Sequence, residues 1–303
     1  MGDGHDHGVD VTGLRDRQRR VLWWVLAANG SFLVVEVIGG IAFSSLALLA
    51  DAAHMATDVS GLAIALVAQT LLSRPSSRRH SYGLQRAEVL GAMANGILLV
   101  ATAGWIMFEA VQRFGDEVEV EGGGLLVVAT IGLGVNVVSA VLLARVRGRS
   151  LNLRGAYVHM LADAAGSVAA IAAGVAVVGA DAYWVDAAAS ILIAVLVLWS
   201  SWGLLRDTVH VLLEGSPSGI DAERVLATIR ATGAVDEVHH LHVWSLASDA
   251  PALSAHLVVD GSLTMHEAQE RGAVVRRALE AEFGVIHSTL ELECHPCLEE
   301  EHP

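Results

Sequence analysis

The 303-residue chain contains no lysine; all nineteen of its basic residues are arginine. It has only two cysteines, five prolines and 5% aromatic residues. Cys294 and Cys297 stand together near the C-terminal end, too few and too close for the disulfide framework of a small secreted domain. Metal binding and simple solvent exposure are the roles left to them. The first twenty residues, MGDGHDHGVDVTGLRDRQRR, hold no apolar h-region, so no cleavable signal peptide is expected. Net positive charge is also missing. The formal charge is −14, and residues 208–303 alone carry sixteen acidic and five basic side chains. Such a surface disfavours nucleic acid and anionic lipid and suits a cation.

Apolar residues are abundant instead, at 53% of the chain, more than an ordinary soluble domain carries. They gather in six windows, about 21–43, 45–72, 88–114, 124–144, 155–179 and 184–204. Each approaches the ~20 residues that cross a ~30 Å hydrocarbon core. The arginines then orient the spans. Arg15, Arg17, Arg19 and Arg20 precede the first window, and Arg74, Arg78, Arg79 and Arg86 separate the second from the third. Arg145, Arg147, Arg149 and Arg154 surround the gap between the fourth and fifth, and Arg206 follows the sixth. The other three connections carry none. The positive-inside rule places both termini in the cytoplasm. Three segments result: an N-terminal arm (1–20), a six-helix transmembrane domain (21–207) and a polar cytoplasmic domain (208–303).

Within the apolar windows one pattern occurs twice: His54-Met-Ala-Thr-Asp58 and His159-Met-Leu-Ala-Asp163. A spacing of four puts both side chains on one helix face. An ionisable residue at membrane depth costs roughly 2.5–3.5 kcal/mol on insertion scales, so it marks a functional position. Two imidazoles and two carboxylates make a tetrahedral, charge-balanced site for a divalent metal such as Zn²⁺. Imidazole also binds protons near neutral pH, so metal and proton compete for the same nitrogens. Counting residues from the helix ends leaves the mid-points of the two pairs roughly 9 Å apart in depth; sequence alone does not bring the four together. Asp51, one turn before His54, is either a supporting carboxylate or a packing residue. Asn95 and Asn136 read as interhelical hydrogen bonders. The apolar windows contain no H-E-x-x-H and no glutamate beside His54 or His159, which argues against an intramembrane metalloenzyme.

The polar domain reads α-β-β-α-β. Helices are expected near 221–232 and 264–283, the second capped by Thr264 and Glu267. Alternation predicts strands at 238–246, 252–259 and 285–293. His239, His256, His287, Glu293, Cys294, His295 and Cys297 are its candidate metal ligands. His240 and His242 fall on the opposite strand face by alternation. His5 and His7 form either a short metal-collecting arm or part of a solvated tail.

The segments ALLADAAHMATD, RRHSYGLQRAEVLGAMANG, SLNLRGAYVHMLADAAGSVAAI and HHLHVWSL, in this order, resemble the cation diffusion facilitator family, specifically its zinc-transporting branch. The resemblance covers nearly the whole length. It implies a homodimeric, multi-pass exporter in the plasma (inner) membrane of a bacterium, moving Zn²⁺ out of the cytoplasm in exchange for H⁺. It is then an antiporter and not an enzyme. Export of another divalent metal (Cd, Co, Fe or Mn), or metal sensing without transport, are the alternatives. The resemblance carries the transport-site role onto His54, Asp58, His159 and Asp163, and His54 at its position goes with zinc selectivity over cadmium. It implies a ferredoxin-like, metallochaperone-like tail that dimerises and binds zinc as a regulatory ligand. Two features of some members are absent. The second-to-third connection keeps only His80 of a further zinc site, and RVRGRSLNLR holds no histidine.

Overall fold

The computed structural model describes residues 11–42, 46–112, 122–180 and 184–295. The chain divides into two compact units, Met1–Val209 and His210–Pro303. Six long helices open it: α1 (Val11–Ala42), α2 (Leu46–Leu72), α3 (Ala87–Gln112), α4 (Gly122–Val146), α5 (Leu151–Ala180) and α6 (Trp184–Leu212). Each apolar window lies within or along one of them. A backbone surrounded by hydrocarbon must satisfy its own donors and acceptors, and the helix does so locally. α1 begins ten residues before its window and α6 ends eight residues after its own. Hydropathy marks only the part suited to hydrocarbon, whereas the i→i−4 ladder continues through polar turns. Among the described residues, Met55–Leu72 and Ala87–Gln112 are long and apolar enough to cross a membrane.

The bundle turns large apolar groups outward. Trp105, Phe108, Leu192, Val195 and Trp199 are exposed, a surface made for lipid rather than water. Inside, Leu22, Val25, Leu62, Ala65, Leu143, Leu153 and Met160 pack in one cluster. Polar side chains are also directed inward. Asn29 Nδ2 donates to Val25 O at 2.8 Å and to Ser139 Oγ at 3.2 Å. Gln69 Nε2 donates to Gln18 Oε1 at 2.9 Å, and Gln18 Nε2 donates to Val146 O at 3.0 Å. Helices α2 and α3 meet closely at Gly91, where an added Cβ would lie 2.5 Å from Ala68 Cβ. Small residues at such crossings are how helices associate where no hydrophobic driving force separates protein from solvent.

The second unit contains α7 (Ala222–Ala231), β1 (Glu237–Ala247), β2 (Ala250–Val258), α8 (Met265–Phe283) and β3 (His287–Glu293). These bounds differ from the expected ones by a residue or two. Asp221 caps α7 by accepting from Glu223 N, and Thr264 and Glu267 form the capping box of α8. The sheet order is β1-β2-β3, with β1/β2 antiparallel and β2/β3 parallel. Val225, Ile229, Val275 and Leu279 from the helices meet Leu253, Ala255 and Leu257 from β2. Register pairs His239 with His256, and His256 with Glu291. Between His239 and His242 the β1/β2 pairing is interrupted by a bulge, and His240 there takes φ +48°.

Candidate metal centres

In the bundle, α2 supplies Asp58 and α5 supplies His159 and Asp163. One ligand atom from each lies within 4.8 Å of the other two. His159 Nε2 is 2.9 Å from Asp58 Oδ1 and 3.7 Å from Asp163 Oδ2. Asp58 and His159 are buried, at 3% and 2% exposure. α2 and α5 run in opposite directions, so the second residue of one motif meets the first residue of the other on one level. That contact brings the two motifs level, against the roughly 9 Å offset expected from counting residues from the helix ends. Two carboxylates and an imidazole facing one point in a dry interior are a donor set that could hold a divalent cation. The backbone of α2 includes His54 and Asp51, but their side chains lie outside the described residues.

In the second unit, one ligand atom each of His239, His256 and Glu293 also converge within 4.8 Å. His256 Nδ1 is 2.6 Å from Glu293 Oε1, and His239 Nε2 is 3.1 Å from Glu293 Oε2. The parallel β2/β3 register and the antiparallel β1/β2 register put these three side chains on one face of three adjacent strands. They are partly exposed, with side-chain values of 20%, 27% and 11% for His239, His256 and Glu293. A dication could reach this centre from solvent.

The remaining expected tail ligands fare differently. His287 pairs with Ala252, four positions along the strand from the His256 and Glu291 rung, about 13 Å away at strand spacing. It shares the face of Glu293 by alternation, as expected, but not its location. Cys294 is an exposed free thiol just beyond β3, and His295 follows it in an exposed position. Among the described residues neither joins the three converging atoms. Cys297, His5 and His7 lie outside the described residues.

Two groups escaped the sequence reading. The bulge overturns the strict alternation expected for His240. Its ring centroid sits 5.3 Å from that of His239 and 5.0 Å from that of His256. A bulge re-aims one side chain, and a non-glycine residue at positive φ is retained where the surroundings demand it; the doubled histidine was the only sequence signal. Asn95 was expected to bond across helices, yet neither atom of its amide has a hydrogen-bond partner, although it is 1% exposed.

A helical bundle with a buried imidazole–carboxylate cluster, followed by a small α/β unit with another, is the architecture of a membrane protein that handles metal cations, and the sequence matches make it a transporter. Residues 22–213 match the cation efflux transmembrane domain, and residues 217–295 match the cation efflux protein cytoplasmic domain. The chain belongs to the cation efflux family, the cation diffusion facilitators. It is 38% identical over 297 residues to the cation efflux system protein CzcD of Alcaligenes sp. (strain CT14), covering 98% of this chain and 92% of the relative. It is 36% identical over 296 residues to the zinc transporter ZitB of Escherichia coli K12, covering 97% and 93%. The proton-coupled zinc antiporter SLC30A2 of Rattus norvegicus is 29% identical over 307 residues, covering 96% and 85%.

Proposed function

We propose that the protein exports Zn²⁺ from the cytoplasm in exchange for H⁺, binding the ion between α2 and α5. The observation that carries this reading is the buried convergence of Asp58, His159 and Asp163. His54 stands one turn before Asp58 on the same helix face, which supports it as the fourth ligand, with Asp51 behind it. Four such groups neutralise the dication, so little uncompensated charge enters low dielectric. When the site opens to the other side, protons displace the metal from the imidazoles. Relatives named for zinc, and for zinc with protons, support both substrates. The protein is a secondary transporter rather than an enzyme.

In this reading the six helices all span the inner membrane of a bacterium, with both termini cytoplasmic. The tail is a ferredoxin-like dimerisation domain that places two copies together. His239, His256 and Glu293 bind regulatory Zn²⁺ there, with the His5/His7 arm and the Cys294–Cys297 segment within the same compartment. A dication bound among sixteen acidic side chains relieves their mutual repulsion.

The test is uptake of Zn²⁺ into proteoliposomes with an imposed pH gradient. Wild type takes up the ion, and His54→Ala or Asp163→Ala abolishes uptake while the dimer stays folded. No gradient-dependent uptake by wild type refutes the proposal. A relative named as a cadmium, cobalt and zinc antiporter makes competition by Cd²⁺ and Co²⁺ the accompanying series, since imidazole and carboxylate donors accept several divalent ions.

A further inference from the structure

Outside the metal centres, the bundle holds a line of buried amides whose oxygens have no hydrogen-bond donor. Gln69 and Asn152 are fully buried, and Asn95 nearly so. Gln69 Oε1, Asn152 Oδ1, and both Oδ1 and Nδ2 of Asn95 lack hydrogen-bond partners. Buried polar groups are nearly always paired. Asn29 Oδ1 is likewise unpartnered, but the amides of Gln69, Asn152 and Asn95 stand in one file, and three unpaired oxygens in a file require a reason.

Their placement supplies one. On α2, Gln69, Ala65, Gly61 and Asp58 follow at intervals of four, four and three, a single helix face. On α5, Asn152, Gly155 and His159 do the same. The rungs are joined by contacts. Asn152 Nδ2 donates to Ala65 O at 2.7 Å. A Cβ added at Gly61 would lie 2.7 Å from Asn95 Oδ1, and one added at Gly155 would lie 3.3 Å from Asn95 Nδ2. The Asn95 amide of α3 thus occupies a notch that two glycines leave open between α2 and α5. The next rung is Asp58 with His159. Gln69 stands three residues from the Arg-flanked end of α2, and Asn152 is the second residue of α5. From Gln69 to Asp58 the file is about 16 Å long.

We infer that Gln69, Asn152 and Asn95 line the route by which a divalent cation travels between the Arg-rich end of the bundle and the Asp58–His159–Asp163 centre. The inference rests on the export reading and extends it to the path. Neutral amide oxygens suit the task. They replace hydration waters one at a time, as carbonyl oxygens do in ion pores, and hold a dication too weakly to trap it. Asn95 is the last such group before the carboxylates, where the cation sheds its remaining shell. These groups are positioning residues for transport. The two glycines leave the room that the Asn95 amide needs between α2 and α5.

Helix glue is the competing role, and the variant Asn95→Leu separates the two. Leucine keeps the branched four-heavy-atom skeleton of asparagine's side chain and needs no hydrogen bond. In full-length protein reconstituted in vesicles, Asn95→Leu lowers the maximal rate of Zn²⁺ uptake at least tenfold, while the thermal midpoint in detergent does not fall. Second, Asn95→Cys is placed in a Cys294→Ser/Cys297→Ser parent. A membrane-impermeant thiosulfonate applied from the cytoplasmic face labels it, and Zn²⁺ slows the labelling. Uptake by Asn95→Leu within twofold of wild type overturns the inference. So does failure to label Asn95→Cys when the same reagent labels Arg78→Cys. If wild-type vesicles take up no Zn²⁺, the export reading is what fails, and the labelling experiment still reports the route.

Discussion

Asp58→Asn removes one charge from the bundle centre while keeping the shape of the side chain. In the metal-free protein, ligand oxygens of Asp58 and Asp163 lie no more than 4.8 Å apart, with His159 against both. Two ionised carboxylates at that separation repel by about 3.5 kcal/mol at an effective dielectric of 20. A bound dication converts this repulsion into attraction, so its relief is part of the binding free energy. Removing one carboxylate forfeits at least that share, which is several hundredfold in affinity, roughly 1.4 kcal/mol per decade. The neutral amide leaves the empty site under less strain, so the metal-free protein loses no stability. The assay is Zn²⁺ titration of full-length protein in detergent, in a His256→Ala background that disables the tail centre, followed by vesicle uptake. Zn²⁺ affinity within tenfold of the parent, or a metal-free thermal midpoint that drops by many degrees, refutes the charge argument.

Other perturbations test neighbouring parts of the structure. Glu293→Gln removes the carboxylate shared by His239 and His256; tail Zn²⁺ affinity falls at least tenfold, about 1.4 kcal/mol, whereas His287→Ala leaves it unchanged, and equal losses would place His287 in the centre after all. Gly91→Ala drives a methyl group to 2.5 Å from Ala68 Cβ; over-packing of this kind costs about 1–3 kcal/mol, and an unaltered thermal midpoint would disprove the close α2–α3 approach. The backbone N–H and hydroxyl of Thr264 both donate to Glu267 and hold its carboxyl below the usual glutamate value. A depressed carboxyl stabilises the fold above the unfolded-state pKa and loses that contribution as pH falls through the folded value. Protection of the first-turn amides of α8, measured against their intrinsic exchange rate at each pH, therefore falls on acidification in wild type and is low throughout in Glu267→Gln; wild-type protection indifferent to pH would contradict the cap.

Much of the fold was legible because single residues announced it. Thr264 with Glu267 marked a helix start that the structure reproduces as a capping box, and the helix expected from 221 begins one residue later with Asp221 as its cap. Unbroken apolar runs marked the long helices but not where they end, because polar turns extend a helix that hydropathy no longer sees. The two His-x-x-x-Asp motifs pointed to one centre, yet the level pairing of Asp58 with His159 depends on how α2 slides along α5, and intrahelical spacing carries no information about that offset. The tail was harder. Period-two alternation assigns faces only while a strand stays regular, and the bulge at His239–His242 shifts His240 toward its neighbours. Alternation also says nothing of position along a strand, so His287 and Glu293 share a face but not a site. Asn95 read as ordinary glue because a sequence does not display an amide's missing partner.

The two centres differ in a way that fits two different tasks. Both bring imidazole and carboxylate together, so donor chemistry does not distinguish them. Burial does. Asp58 and His159 are nearly inaccessible, so an ion held there cannot exchange with solvent unless helices move, and the motion sets which side it leaves by. His239 and His256 keep a fifth to a quarter of their side-chain surface open. An ion bound there would equilibrate without rearrangement, and its occupancy would follow the surrounding concentration. A transporter needs the first property in the site it carries from and the second in any site that senses supply. Exchange of the tail ion should therefore remain fast when the bundle is locked, and slow tail exchange under a bundle crosslink would show that the two sites share one gate.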